Sequence, residues 1–325
     1  MKIINAFKHG LALVNHHQKI IGIIYLVNLC IGLLFAVPLF FLFQTKVGSL
    51  VARDDLLSGL NYAWWSAFNV SASGLENTIR PSLSGGFGPL FDNLELLLSG
   101  RFLSFGWSIF AIALAYLFVA AFFNGGAIAL FADERKAFSA ARFFSAAGAN
   151  FHHMAALAAT TVAVFALIYK VIHPAIFYLA DQIVGDSLSQ SFAWWINLVA
   201  YLIILNIVFF VTLVFDYAKV IVISEKKESS WLCIWLAIKF IFKNFAKTIG
   251  LNLLLVFCAV VLVLLGGTIL SVIKPAQLFL LLISFIIQQF FILAKIGMRL
   301  TFYASETVMF TRYTAARAAV KKRKR

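Results

Sequence analysis

Charged side chains are scarce in this chain: they make up 12% of its 325 residues, against 62% hydrophobic ones. A water-soluble domain carries about 25% charged residues, so the composition excludes an ordinary soluble globule. Acids are scarcer still, 13 against 27 lysines and arginines. Cysteine is limited to Cys30, Cys233 and Cys258, with no Cys-x-x-Cys pair. Such usage excludes a disulfide framework or a cysteine metal centre, and the three read as small apolar residues. No GxxxxGK(S/T) or GxSxG stretch occurs, which argues against a Walker-type ATPase and a typical serine hydrolase.

What is abundant is apolar and aromatic. With 35 phenylalanines the chain is no disordered polymer. The hydrophobic residues fall into long, nearly uncharged blocks separated by short charged stretches. A spanning helix needs about 20 mostly apolar residues, and six blocks qualify: 20–43, 102–132, 154–172, 191–215, 248–273 and 275–294. They are too long and continuous for barrel strands, which alternate over about ten residues. In lipid the backbone must bond within its own segment, so the blocks are helices. The predicted class is an all-α polytopic membrane protein with six spans. The first block is too long for the core of a signal peptide and reads as a retained span. Asn124-Gly125-Gly126 marks a place where the second span kinks or ends early. Gly266-Gly267 permits close packing or a break in the fifth.

The basic residues orient the bundle. With the N-terminus inside, only Lys46, Arg53, Arg80, Arg101, Lys170 and Lys274 fall outside, leaving 21 of the 27 inside. That satisfies the positive-inside rule and places both termini in the cytoplasm. The net charge of +14 then reflects topology and contact with anionic headgroups rather than nucleic-acid binding.

The whole chain is expected to be one transmembrane helical domain. Residues 44–101 form a small extracytoplasmic cap, with a helix over LLSGLNYAWWSAFN capped by Asp54, tryptophans suited to the headgroup layer, and a second helix over LFDNLELLL. Segments 133–153 and 224–247 read as cytoplasmic amphipathic linkers, and 305–325 as a basic cytoplasmic tail. Within 231–247, Lys239, Lys243 and Lys247 recur every four residues and form one helical stripe toward anionic lipid headgroups. Each even-numbered span also ends in a small residue followed by an acid, at Glu134, Glu225 and Glu306. A threefold repeat of helix pairs or shared topology alone would produce that pattern.

Few polar residues interrupt the spans. Gln288-Gln289 sits mid-span in the sixth, Asn197 and Asn206 in the fourth, and Asn252 in the fifth. The two fourth-span asparagines are two and a half turns apart, so each needs its own partner. Asp216 and Lys219 lie near the inner end of the fourth span, and Lys295 and Arg299 near that of the sixth. Charge at that depth pairs or lines a polar cavity, and the expected pair is Asp216 with Lys295 or Arg299. The histidine pairs His16-His17 and His152-His153 lie near the inner interface. Adjacent helical residues diverge, so neither makes a metal site, and no cofactor is expected.

Segments 130–157 and 215–255, LFADERKAFSAARFFSAAGANFHHMAAL and FDYAKVIVISEKKESSWLCIWLAIKFIFKNFAKTIGLNLLL, resemble parts of certain uncharacterised bacterial inner-membrane proteins. Those proteins are similar to the membrane domain attached to some glycerophosphodiester phosphodiesterases. The likeness implies a membrane module in a bacterial plasma membrane. It carries over no catalytic residue, because the phosphodiesterase barrel has no counterpart here. Three functions stay open. One is an accessory or scaffold protein engaging lipid or a membrane partner. The second is a transporter or channel for a small solute or lipid, and the third is an intramembrane enzyme.

Overall fold

A computed structural model describes residues 2–50, 62–72, 87–100, 107–133, 138–185, 189–226, 229–273 and 278–323. Among them every regular element is helical. In chain order these are α1 (Ile3–His16), α2 (Lys19–Leu50), α3 (Tyr62–Ser71), α4 (Gly88–Ser99), α5 (Trp107–Ala132) and α6 (Ala140–Leu167). A π-turn (Ile168–Ile172) joins α6 to α7 (His173–Val184). Then follow α8 (Gln190–Ser224), α9 (Ser230–Lys243), α10 (Phe245–Val272) and α11 (Leu278–Arg323). Six continuous helical runs, within α2, α5, α6–α7, α8, α10 and α11, are long and apolar enough to cross a membrane. The chain is an all-α polytopic integral membrane protein.

Burial is uneven along these spans. The far half of the bundle exposes Leu34, Phe40, Phe41, Leu265, Phe285 and Phe290. Such surface is stable only against acyl chains. The half nearer the termini holds the core. There the end of α8 is buried almost without interruption from Leu213 to Ile223, and α11 from Tyr303 to Phe310. The end of α5, with Ala127, Ile128, Leu130 and Phe131, completes it.

α1 closes this end. Its buried residues Ala6, Gly10, Leu13 and Val14 follow helical spacing and face α11. At Gly10 the approach is close: a Cβ there would lie 2.2 Å from Ser305 Oγ and 2.6 Å from the Ser305 backbone nitrogen. The hydrophobic blocks gave no sign of α1, because it is too short and too polar to register as a span.

Several sequence-based boundaries shift. Residues 140–153, expected in a separate linker, are the first turns of α6 and continue into the third span. Residues 305–310, expected to begin a free tail, are core, because α11 continues through them and their side chains pack under α1, α8 and α9. The glycines at 125–126 do not end α5, which runs unbroken to Ala132. A Cβ at Gly126 would touch the Phe143 carbonyl oxygen at 2.9 Å, so they serve the close packing of α5 on α6. Gly266 and Gly267 likewise sit in an unbroken α10, against Phe291 and Phe87.

The π-turn has a local cause. Pro174 follows it, and a proline ring clashes with the carbonyl four residues back in a regular helix. Widening that turn relieves the clash. The same region receives α4: Tyr169 donates its hydroxyl to the Leu97 carbonyl, and His173 Nε2 lies 3.0 Å from the Leu98 carbonyl. In the expected cap, α4 matches the LFDNLELLL stretch and α3 covers the tryptophans. Trp64 is buried and stacked on Phe68, not turned to headgroups. Asp54, the expected cap of the first helix, lies outside the described residues, as does Glu134.

Candidate functional site

The terminal half of the bundle holds a half-open cavity of about 660 Å³, lined from α2, α5, α6, α8 and α11. On α5 it reaches from Asn124 up to Ala113, and on α6 from Met154 to Phe165. At 1.5 Å per residue that is about 16 Å, half the thickness of a hydrocarbon core. The walls are largely apolar, with Leu117, Phe123, Phe165, Ile292 and Ile296 among them. The charges gather at the end nearer the termini: Asp216 and Lys219 from α8, Lys295 and Arg299 from α11.

Helical spacing positions each charged group. Asp216 and Lys219 are three residues apart on one face of α8, and the Lys219 ammonium lies 2.7 Å from Asp216 Oδ1. Asp216 therefore pairs along its own helix, not across to Lys295 or Arg299 as expected. A neighbour already ordered on the same helix costs less to hold than a long side chain on another. Arg299 turns instead to Tyr303, four residues on. Its Nε and an Nη donate to the Tyr303 hydroxyl at 3.2 and 2.9 Å. The Lys219 ammonium lies 5.6 Å from the centroid of the same buried ring, within cation–π reach.

Lys295 is one turn from Arg299 on the same side of α11. It is exposed to the cavity and has no hydrogen-bond or ion-pair partner among the described residues. Beneath the floor lies Glu306, 1% exposed, with neither carboxylate oxygen hydrogen-bonded among the described residues. It stands within electrostatic reach of Asp216, Lys219 and Arg299. The residue is an internal member of the floor, not an acid at the end of the apolar run. The likeness of its surroundings to those of Glu225, which does end a helix, was therefore misleading.

The other polar candidates do not join the cavity. Asn197 and Asn206 donate to Ala193 and Leu202, the carbonyls four residues back, at 3.0 and 2.8 Å. Gln288 is exposed, with Ser284 of its own helix 3.5 Å away. Gln289 accepts from the Tyr25 hydroxyl at 2.9 Å and ties α2 to α11. Asn252 is buried on α10. Instead, Asn28 and Asn124 contribute amides to the lining, and neither has a hydrogen-bond partner among the described residues. Asn28 was not singled out from the sequence, and Asn124 only as part of a break in its span. Lone asparagines in apolar blocks were the available signal.

Lys239 and Lys243 lie exposed on α9, whose buried face carries Cys233, Ala237, Phe240 and Ile241. Asn244 breaks the helix, so Lys247 opens α10 rather than extending one stripe. Lys239 covers Trp235 and Lys247 covers Tyr313, each 5.0 Å from the ring centroid. Trp231, Trp235 and Phe242 are exposed on the same short helix.

At the α6–α9 junction His153 Nδ1 lies 3.2 Å from Ser230 Oγ, outside the cavity. His17 is 1% exposed, with both ring nitrogens unbonded among the described residues. Burial, and then the positive fields of His16 and Arg142, hold its pKa below the ordinary 6.5. Among the described residues no three of His, Cys, Asp and Glu gather as metal ligands.

No family model, no curated protein and no solved structure matches this chain.

Proposed function

We propose that this chain is a multi-pass protein of a bacterial plasma membrane, with both termini in the cytoplasm, that holds membrane lipid as a non-enzymatic accessory or scaffold. One observation carries the reading: a cavity half a membrane deep, with apolar walls and a charged floor. Lipid is the ligand that shares this layout, and it is present at high concentration wherever the cavity meets the leaflet. The lysine bias places the floor toward the cytoplasmic leaflet. The exposed tryptophans and lysines of α9 suit the headgroup layer of that leaflet.

Support for a holding role comes from the lining. Apolar side chains dominate it, and Thr161 and Thr212 spend their hydroxyls on backbone carbonyls of their own helices. Transfer of a lipid or small solute is the second reading. The π-turn favours it, because such turns mark places where helices change register, and this one lies just beyond Phe165 at the upper end of the cavity.

The test is mass spectrometry of the protein purified in mild detergent. At least one lipid per chain is expected to survive purification. A chain recovered free of lipid, yet folded, contradicts the reading.

A further inference from the structure

The electrostatic balance of the cavity floor is uneven. Lys219 is neutralised by Asp216 at 2.7 Å. Arg299 is bonded to the Tyr303 hydroxyl, with Asp216 and then Glu306 as the acids within electrostatic reach. Even with both carboxylates counted as ionised, at least one positive charge remains without a counterpart among the described residues, on Lys295. An uncompensated ammonium facing an apolar cavity at membrane depth is costly. The protein offers it no partner among the described residues, so the counter-charge comes from outside the protein.

The donors beside Lys295 indicate what kind of anion fits. Arg299 has five N–H groups, and two are engaged by Tyr303. The bond to Tyr303 fixes the plane of the guanidinium and leaves three donors for an oxyanion. A planar guanidinium beside a mobile ammonium suits a phosphate group. The helical spacing of Lys295 and Arg299 lets both reach one such group. Asn28 and Asn124 line the cavity with unpaired amides, suited to ester carbonyls or hydroxyls, while the walls suit an acyl chain. Phosphate chemistry alone describes a free ion as well as a lipid head. The apolar walls decide for the lipid.

We propose that the cavity binds one monoanionic phosphodiester lipid, its phosphate bridged by Lys295 and Arg299 and its acyl chain lying against α5 and α6. This rests on the lipid-holding reading and adds a headgroup class to it. A zwitterionic phospholipid brings its own ammonium and leaves the floor with the same uncompensated charge. The site therefore discriminates by net headgroup charge.

The full chain reconstituted in nanodiscs of mixed lipid tests this by native mass spectrometry, with retained lipid counted by class. Wild type is expected to retain the monoanionic phosphodiester lipid roughly tenfold over the zwitterionic one, as about 1.4 kcal/mol of preference provides. K295Q and R299Q are expected to abolish the preference, and K295R to keep it. K8Q, on the exposed face of α1, is expected to leave it unchanged. Melting temperatures of all variants identify any that fail to fold, and K295R keeps the test decisive if K295Q does. Equal retention of both classes by wild type, or an unchanged preference in folded K295Q and R299Q, overturns the proposal while lipid holding stands. Retention of no lipid at all overturns both. Stabilisation by inorganic phosphate alone, with no lipid retained, assigns the floor to a free oxyanion and also overturns the proposal.

Discussion

Asp216 and Lys219 form a buried ion pair, with side chains 6% and 15% exposed. Removing one partner of such a pair leaves a charge without compensation, which costs about 3–5 kcal/mol, whereas removing both is often nearly neutral. Asp216→Asn is expected to lower the melting temperature in detergent sharply. The double variant Asp216→Asn with Lys219→Met is expected to recover most of the loss. Equal melting of the single variant and wild type contradicts the pairing. His17 supplies a second residue-scale test. Its folded pKa lies below the ordinary 6.5, so the unfolded chain binds this proton more tightly than the folded protein does. The stability that follows is complete above 6.5 and is lost as pH falls through that value toward the lower folded pKa. Wild type is expected to melt at lower temperature near pH 5 than near pH 7.5, and His17→Phe to flatten that difference. A slope that His17→Phe leaves unchanged assigns the pH dependence elsewhere. The charged residues of the floor were legible in the sequence, because ionisable groups stand out in apolar blocks. Their partners were not. The pairing of Asp216 depends on which side chains are already neighbours on one helix. The role of Glu306 depends on α11 continuing past the apolar run, which composition does not reveal.

Among the elements, the spans were the most legible, since a length of about 20 apolar residues has one physical explanation in this composition. The short helices were less so. α9 was readable from its lysines, but its end at Asn244 was not, because the apolar run continues across the break. α1 was missed because it is too short to register as a span, although its apolar residues recur at the helical spacing of the face it buries against α11, where Gly10 meets Ser305. The linker at 133–153 was misjudged because its arginines and serines look interfacial. Arg142 and Ser145 lie on the first turns of a helix whose other face packs on α5. One prediction belongs here. If α9 lies in the headgroup layer, Trp231 and Trp235 are quenched by lipids brominated near the glycerol and much less by lipids brominated at the chain ends. Substituting both by phenylalanine is expected to remove most of the shallow quenching. Equal quenching by both lipids places α9 elsewhere.

For the molecule as a whole, charge and burial point the same way. Among the described residues, most of the basic ones lie beside the terminal half of the bundle, which also contains the core and the cavity floor. The far half presents apolar side chains outward. If the terminal half faces the cytoplasm, cysteines introduced at Gly85 and Val320 react with an impermeant reagent from opposite sides of the membrane. Reaction of both from one side contradicts the topology. The cavity required five elements to meet, and the sequence pointed only to the charged residues of its floor: much of its wall comes from α5 and α6, whose approach depends on Gly126 against Phe143. The most direct measurement is a high-resolution structure of the protein in a bilayer containing monoanionic phospholipid. One lipid is expected in the cavity, its phosphate within hydrogen-bond distance of Lys295 and Arg299 and its chain along α5 and α6. A collapsed cavity, or a Lys295 ammonium paired directly with Asp216, would contradict it.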